Sequence, residues 1–360
     1  MEALLGKTPE EITQIIQHTK AGKFAGKQIC DWIYKKNIQS LDEMTNIASA
    51  VRQEMSLLCD VGRIPYIKEV ISKDGTRKYL FLYQGEVYVE AVLIFSSSAD
   101  RDKKKDKNKS GNAKQRITLC ISTQAGCRMG CSFCATGKSG LARNLTAHEI
   151  INIYHVLNEH CSCFYEGAKI NNIVFMGMGE PLDNFAATQK SLLILTSDWG
   201  YGFPCSKITV STCGFMPKMK EFLDNTSADV AISLHSAIPE QRRQIMPVEK
   251  AYPIKEVVEL LRQYDWKKSR HLTFEYIVFK NLNDKAEHVN AIAKLLNGLP
   301  CRINLIAFNT VPGTEFKGAS TEEMNLFADK LRNKGFNVLI RKSKGSDISA
   351  ACGLLSAKQR

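Results

Sequence analysis

Three cysteines, Cys127, Cys131 and Cys134, stand at CxxxCxxC spacing within CISTQAGCRMGCSFCATG, residues 120 to 137. A loop that short can fold three thiolates around one small object. A cluster of four irons and four sulfides held by three cysteines keeps one iron open for a further ligand. A closed structural zinc site wants four protein ligands, here completed by Cys120 or a distant His. Paired CxxC arms are the usual zinc signal and are not what this stretch shows. A disulfide framework fits poorly, because the chain is long and opens without the basic-then-apolar pattern of a secretory signal.

A second cysteine with chemical potential is Cys352, in GSDISAACG just after the basic run Arg341-Lys342-Ser343-Lys344. Nearby cations lower a thiol's pKa and raise its thiolate fraction. Taken alone, Cys352 reads first as a buried structural thiol. Polar residues recur at other predicted strand ends. In MGMGEP (176 to 181) the glycines let backbone approach a ligand, and Glu180 can accept from an ammonium group. Ser211 opens STCG, Ser233 to Ser236 read SLHS, and Asn309 follows a sixth strand. Such residues suit a cleft that holds a polar cofactor. In isolation Glu180 is a turn residue and His235 a satisfied core histidine. Glu275 and Tyr276 read as core or hydrogen-bonding residues, and Glu90 as a solvent-facing strand residue.

The elements that must position these residues alternate strand and helix from residue 116 onward. Strands are expected at 117–123, 172–176, 207–211, 229–234, 273–279 and 302–308, with helical patterns between them. Thr146 and Glu149 form a capping box for the helix at 146–159. Six such units predict an α/β fold, an incomplete TIM-like (βα)6 barrel, with sites at the carboxyl ends of its strands. A helix at 321–334 and a strand at 336–341 follow. Before the barrel, Asp74-Gly75 marks a hairpin turn, and EVYVEAVLIF alternates as a further strand. The first residues are helical: Thr8-Pro9-Glu10-Glu11 combines an N-cap, a proline at the first helical position and a capping-box Glu. Amphipathic stretches follow at 27–36, where Ile29, Trp32 and Ile33 share a face, and at 46–59. The expected domains are 1–62 helical, 63–115 a β-hairpin extension with a basic loop, 116–334 the barrel, and 335–360 a strand with the Cys352 loop.

At 360 residues the chain can bury one large domain with attachments. Hydrophobic residues make up 44% and charged residues 24%, ordinary for a globular protein. No apolar run approaches the ~20 residues that span a bilayer. A cytoplasmic location is expected, where twelve cysteines point to metal or catalysis. The net charge of +12 favours a polyanionic partner, nucleic acid first. The run RDKKKDKNK contributes to that excess and reads as a solvated loop. Lys20, Lys23, Lys27, Lys35 and Lys36 give the helical segment a second reading as an RNA-docking module.

CxxxCxxC after a first strand, with Phe133 before the last cysteine, resembles the radical S-adenosylmethionine (SAM) superfamily. CISTQAGCRMGCSFCATG, MGMGEP, STCG, ISLHS, NLIAFN and GSDISAACG, in that order, resemble its RlmN family from residue 28 to 355. The loop at 97–115 is longer than that family leads one to expect. The resemblance implies a radical SAM fold, a [4Fe-4S] cluster on Cys127, Cys131 and Cys134, and SAM held by Gly179, Glu180, Ser211, Ser233, Leu234, His235 and Asn309. It implies methylation of carbon 2 of adenosine in 23S rRNA (the peptidyl transferase region) and in tRNA (next to the anticodon). Cys352 would take a methyl from one SAM. A second SAM would yield the radical that activates this methyl for addition to adenine. Glu90 would accept the carbon 2 proton, and Cys120 would resolve the product, leaving a disulfide. Carbon 8 methylation of the resistance type is the alternative within that mechanism, and Pro181 leans toward carbon 2. An electron donor such as flavodoxin, a monomeric state and no membrane partner complete the expectation. A zinc-stabilised RNA-binding protein, or a radical SAM enzyme acting on protein or small molecule, are the competing readings.

Overall fold

The computed structural model describes residues 1–22, 24–96, 115–266 and 270–356. Lys23 and the basic run at 101–109 lie outside the described residues, as does nearly all of the predicted loop. At the N-terminus β1 (Glu2–Ala3) pairs in parallel with β2 (Cys59–Asp60) around α1 (Pro9–Ile15), α2 (Ala25–Cys30) and α3 (Ser49–Ser56). The predicted capping box closes α1: Thr8 Oγ1 accepts from Glu11 N, and the Glu11 carboxylate accepts from Thr8 N. The helix expected at 27–36 changes pitch, since α2 runs into a π-helical turn at Asp31–Lys35. Ile29 and Ile33 are buried as expected, while Trp32 lies at the rim with Lys36 Nζ 3.4 Å from its ring centroid. This module joins the rest through Glu11–Lys190 (2.6 Å) and the Tyr34 and Tyr201 rings, 5.2 Å apart.

The remaining chain builds around one sheet of ten strands. An antiparallel meander comes first: β3 (Tyr66–Ile71), β4 (Arg77–Tyr83) and β5 (Val87–Ser96). Its first turn is at Asp74-Gly75, with Gly75 at φ +83°, where an L side chain is strained. Then follow β6 (Arg116–Cys120), a small hairpin of β7 (Gln124–Cys127) and β8 (Gly140–Asn144) around α4 (Ala135–Lys138), and α5 (Ala147–His160). After these come β9 (Asn172–Phe175), α6 (Phe185–Thr196), β10 (Ile208–Thr212), α7 (Met216–Asn225), β11 (Asp229–Ser233), α8 (Pro239–Ile245) and α9 (Ile254–Leu261). The chain ends with β12 (Leu272–Val278), α10 (Ala286–Leu296), β13 (Arg302–Ala307), α11 (Thr321–Asn333) and β14 (Asn337–Arg341). The strand order is β14-β13-β12-β11-β10-β9-β6-β5-β4-β3. β6 and β9 to β14 run in parallel. The six expected barrel strands are present; β14 extends them at one edge and the meander at the other.

Alternation sorts each parallel strand into two faces. Ile117, Ile173, Val210, Ile232, Phe274, Tyr276 and Leu305 point outward into the main apolar core against the helices. Cys120, Ser211, Ser233, Glu275, Asn304 and Arg341 have the opposite parity and share the inner face. A second apolar cluster, with Phe133, Ile245, Met246, Ile277 and Phe279, lies on that inner side. Among the described residues no helix is long and apolar enough to cross a membrane.

The strand ends are tied together by Arg242 on α8, which is fully buried. Its Nε donates to Leu234 O (3.0 Å), and Nη2 donates to both Cys213 O and Ser233 O (2.9 Å each). Nη1 donates to Glu249 Oε2 (2.5 Å), which also accepts from Ile254 N (3.0 Å). One guanidinium therefore holds the ends of β10 and β11 against α8. Arg242→Met strands the Glu249 charge in the interior and should cost about 3–5 kcal/mol by urea unfolding. Arg242→Met with Glu249→Leu should recover only part, because three carbonyls stay without their donor. Full recovery would show that the carbonyl bonds contribute nothing.

Candidate active site

Cys127 ends β7, Cys131 lies in the following loop, and Cys134 caps α4. Cys134 N donates to Cys131 O (3.1 Å). The loop is fastened from below by Ser132, whose N and Oγ both donate to Ile245 O (3.0 and 3.2 Å). The turn depends on Gly126, at φ +81°, where an added Cβ would lie 1.9 Å from Gly140 O. Phe133 packs edge-on to His235, with ring centroids 4.8 Å apart, which explains the aromatic between the last two cysteines.

Burial pushes the Cys127 thiol up to about 12 and Cys131 higher, and each is raised further by sister sulfurs and by Glu180. Cys127 and Cys131 thus stand in a place hostile to negative charge, within electrostatic reach of Cys134. Thiolates at those two positions persist only around a cationic guest, which the irons of a cluster would provide. Three thiol donors at this spacing fit a cluster that keeps one iron open.

The strand-end motifs converge above that loop. Gly179, at φ +102°, packs against Gln124, leaving no room for a Cβ, and Glu180 N donates to Gln124 Oε1 (2.8 Å). Glu180 is buried, its oxygens accepting from Leu182 N (3.1 Å) and Cys213 N (2.8 Å); burial raises its pKa. These bonds place its carboxyl between β9 and β10. Ser211 and Ser233 are half-buried on the inner face. His235 adopts φ +51°, a strained backbone for a non-glycine residue, and Asn283 Nδ2 secures it by donating to His235 O (2.7 Å). His235 Nδ1 accepts from Ile277 N (3.0 Å), so the neutral ring carries its proton on Nε2. Burial, reinforced by the Arg242 charge, pushes this imidazole down to about 3, so it stays neutral.

The C-terminal loop reaches the same place. Asp347 accepts from Ser72 Oγ (2.6 Å) and Lys73 N (3.1 Å), and Gly345 N donates to Asp74 Oδ2 (2.9 Å), pinning the loop to the β3–β4 turn. At its far end Thr136 Oγ1 donates to Leu355 O (2.5 Å), and Ala135 N donates to Gly353 O (2.8 Å). Between these anchors Cys352 is exposed by area yet closely surrounded by protein, so it lines a hollow open to solvent. Asn309 Nδ2 donates to Cys352 O (3.3 Å). Cys352 lies within electrostatic reach of Cys134 and Cys120. Cys120 is buried with Val92, Val174, Ala350 and Leu355, and burial pushes its thiol up to about 12. All twelve cysteines are free thiols.

Two expectations are corrected. The basic run does not depress the Cys352 thiol: burial raises it, and Arg341 only partly offsets this. Glu90 is not solvent-facing, because β5 is an internal strand with both faces covered. Glu90 Oε1 pairs with Lys78 Nζ (2.9 Å), and Oε2 accepts from Ser356 N (2.9 Å). Sequence reasoning missed Arg242, Asn283, Lys78 and Asp347. Arg242, Asn283 and Lys78 belong to none of the motifs; Asp347 lies inside GSDISAACG, but its partners Ser72 and Lys73 are far away in the chain.

Comparison with known proteins identifies the family. Residues 121–296 match the radical SAM superfamily, and residues 3–61 match the ribosomal RNA large subunit methyltransferase N-terminal domain. The chain is 44% identical to a probable dual-specificity RNA methyltransferase RlmN of Phocaeicola vulgatus, over 99% of this chain and 96% of that protein. It is 41% identical to a dual-specificity RNA methyltransferase RlmN of Nautilia profundicola, over 94% and 93%. A crystal structure of a radical SAM methyltransferase from Sphaerobacter thermophilus superposes with TM-score 0.88 at 34% identity, covering 99% of this chain and 100% of that one. The chain belongs to the RlmN family of the radical SAM superfamily.

Proposed function

We propose that this protein methylates carbon 2 of adenosine in 23S rRNA and tRNA, with Cys352 as the methyl carrier. The observation that supports the reading best is the loop of Cys352, held at both ends so that its exposed thiol stays within electrostatic reach of Cys134 and Cys120. Cys127, Cys131 and Cys134 would hold the cluster. Gly179, Glu180, Ser211, Ser233, Leu234, His235 and Asn309 would hold SAM. Bound there, the cluster and SAM would supply the radical chemistry needed to activate a methyl group on Cys352.

The protein's own residues do the rest. Carbon 2 of adenine is not nucleophilic, so the Cys352 sulfur first accepts the methyl and then presents it. Neutral His235 adds no positive charge to a site that would hold a cationic cofactor. Glu90, held by Lys78, would accept the carbon 2 proton as the ring regains aromaticity. Cys120 would attack the Cys352 sulfur and release the product. The adenine must be unpaired to enter, since its edge is unreachable inside a duplex. The +12 charge would bind phosphate and make affinity fall with salt. Residues 1–62 would act as a docking module beside the barrel at 116–334, with 63–115 and 335–360 as the extension and the cysteine loop. A flavodoxin-like donor, a monomeric state and a cytoplasmic location complete the proposal.

Anaerobic reconstitution should give brown protein containing iron and sulfide that forms 2-methyladenosine, detected by mass spectrometry of digested RNA. Zinc without iron or sulfide would refute this. Cys352→Ala should abolish transfer; normal turnover by this variant would remove the covalent route. Glu90→Gln should still acquire methyl on Cys352 while forming 2-methyladenosine about 10²-fold or more slowly. A wild-type rate would acquit Glu90.

A further inference from the structure

Register on the β4–β5 hairpin sets Lys78 opposite Val92 and Leu80 opposite Glu90. Alternation then places Lys78 and Glu90 on one face as diagonal neighbours, within reach of a long side chain. Tyr79, Phe81, Val89 and Ala91 have the opposite parity and pack into the main core. The face that Lys78 and Glu90 share is the one on which Val92 is buried with Cys120, Ala350 and Leu355. Lys78 Nζ lies 2.9 Å from Glu90 Oε1 and donates to Ser349 O (3.3 Å). Glu90 Oε2 accepts from Ser356 N (2.9 Å), and Ser122 Oγ donates to Glu90 O (2.6 Å).

Ser349 and Ser356 stand on either side of Cys352, three residues before it and four after. One lysine and one carboxylate thus touch both flanks of the loop that presents this sulfur. Stability alone does not account for the pair. A buried ion pair commonly does no better than apolar residues of similar volume, since both charges lose water. Positioning does account for it. A proton acceptor must meet its carbon–hydrogen bond closely, and a displacement of about 1 Å can cost about 10²-fold in rate. A glutamate held through both carboxylate oxygens and its own carbonyl has little freedom to miss. The tail supplies one of those bonds and steadies the lysine that supplies another. The acceptor therefore takes its final position only with the Cys352 loop seated.

We propose that Lys78 is a positioning residue for methyl transfer: with the Ser356 N–H it fastens the Glu90 carboxylate to both flanks of the Cys352 loop, so the loop that carries the methyl also sets the proton acceptor. This rests on the reading of Cys352 as methyl carrier and of Glu90 as proton acceptor. Lys78 exchanges no proton in this role and acts through Glu90.

The test uses reconstituted protein and two tRNA transcripts, one with hydrogen and one with deuterium at carbon 2 of adenosine. Single-turnover formation of 2-methyladenosine is measured with each. Methylation of Cys352 by SAM, with neither reductant nor RNA, is followed by peptide mass spectrometry. Lys78→Met should still acquire the methyl on Cys352 but form 2-methyladenosine about 10²-fold more slowly, with the deuterated transcript slower again. Ser356→Pro removes a donor to Glu90 without altering the sheet and should show the same pattern at about tenfold. In protein without RNA, amide hydrogen exchange in residues 349–356 should rise by about threefold to tenfold in Lys78→Met, with exchange in β9 to β13 unchanged. A folding defect would instead raise exchange throughout and reduce Cys352 methylation, and Ser356→Pro then decides alone. Wild-type rates in the variants that fold would overturn the proposal, as would slowing that is equal for the two transcripts. An unmethylated Cys352 in wild type, or Glu90→Gln at the wild-type rate, would overturn the reading beneath it instead.

Discussion

A single buried cation organises the strand ends on which the site depends. Arg242 has no water to fall back on, so each of its donors must find an oxygen. The oxygens it finds are the carbonyls of Cys213, Ser233 and Leu234 and the Glu249 carboxylate. Those carbonyls belong to two strand ends and α8 approaches both, so one planar fork sets the spacing between them. The strained backbone at His235 follows directly after the clamped segment. Asn283 and the Glu275 carbonyl hold that residue from the next strand. The polar residues facing the hollow are therefore placed by hydrogen-bond geometry as much as by apolar packing.

The cysteine loop follows a different logic. Its anchors are polar and link it to segments distant in the chain: Asp347 on the hairpin turn, Thr136 and Ala135 at the far end. Ala350 and Leu355 are buried beside Cys120, with Ile348 packed against them, and Ala351 and Leu354 are buried against Val311. Individual hydrogen bonds of this kind contribute about 0.5–1.5 kcal/mol each. Such a loop is well positioned without being locked, which suits a sulfur that must meet several reactants in turn.

Much of this was legible before any coordinates. The three cysteines, the six parallel strands and the capping boxes at Thr8 and Thr146 rest on local spacing, and local spacing is what a sequence displays. Strand boundaries differ by one to three residues, most at β6, whose ladder ends at Cys120 before the polar Ser122 and Thr123. Glu90 was misjudged because a lone Glu on an alternating strand looks the same whether the strand is at an edge or inside. Only the pairing of β5 on both sides decides that. The Cys352 thiol was misjudged for a related reason: the neighbouring cations are visible in the sequence, but the desolvation that outweighs them is not. Arg242 had no signal, since an arginine in PEQRRQI is indistinguishable from a surface residue until the helix has docked.

The β3–β5 meander has a consequence for how such a protein can change. It grips the tail at Asp74 and Lys73, while the barrel supplies the cysteine trio. Barrel and methyl carrier are therefore connected through a third piece of the chain. A chimera that exchanged the barrel alone, or shortened the hairpin, would inherit the radical source without a seat for its sulfur. The hairpin and the tail form one inheritable unit, although more than two hundred residues separate them.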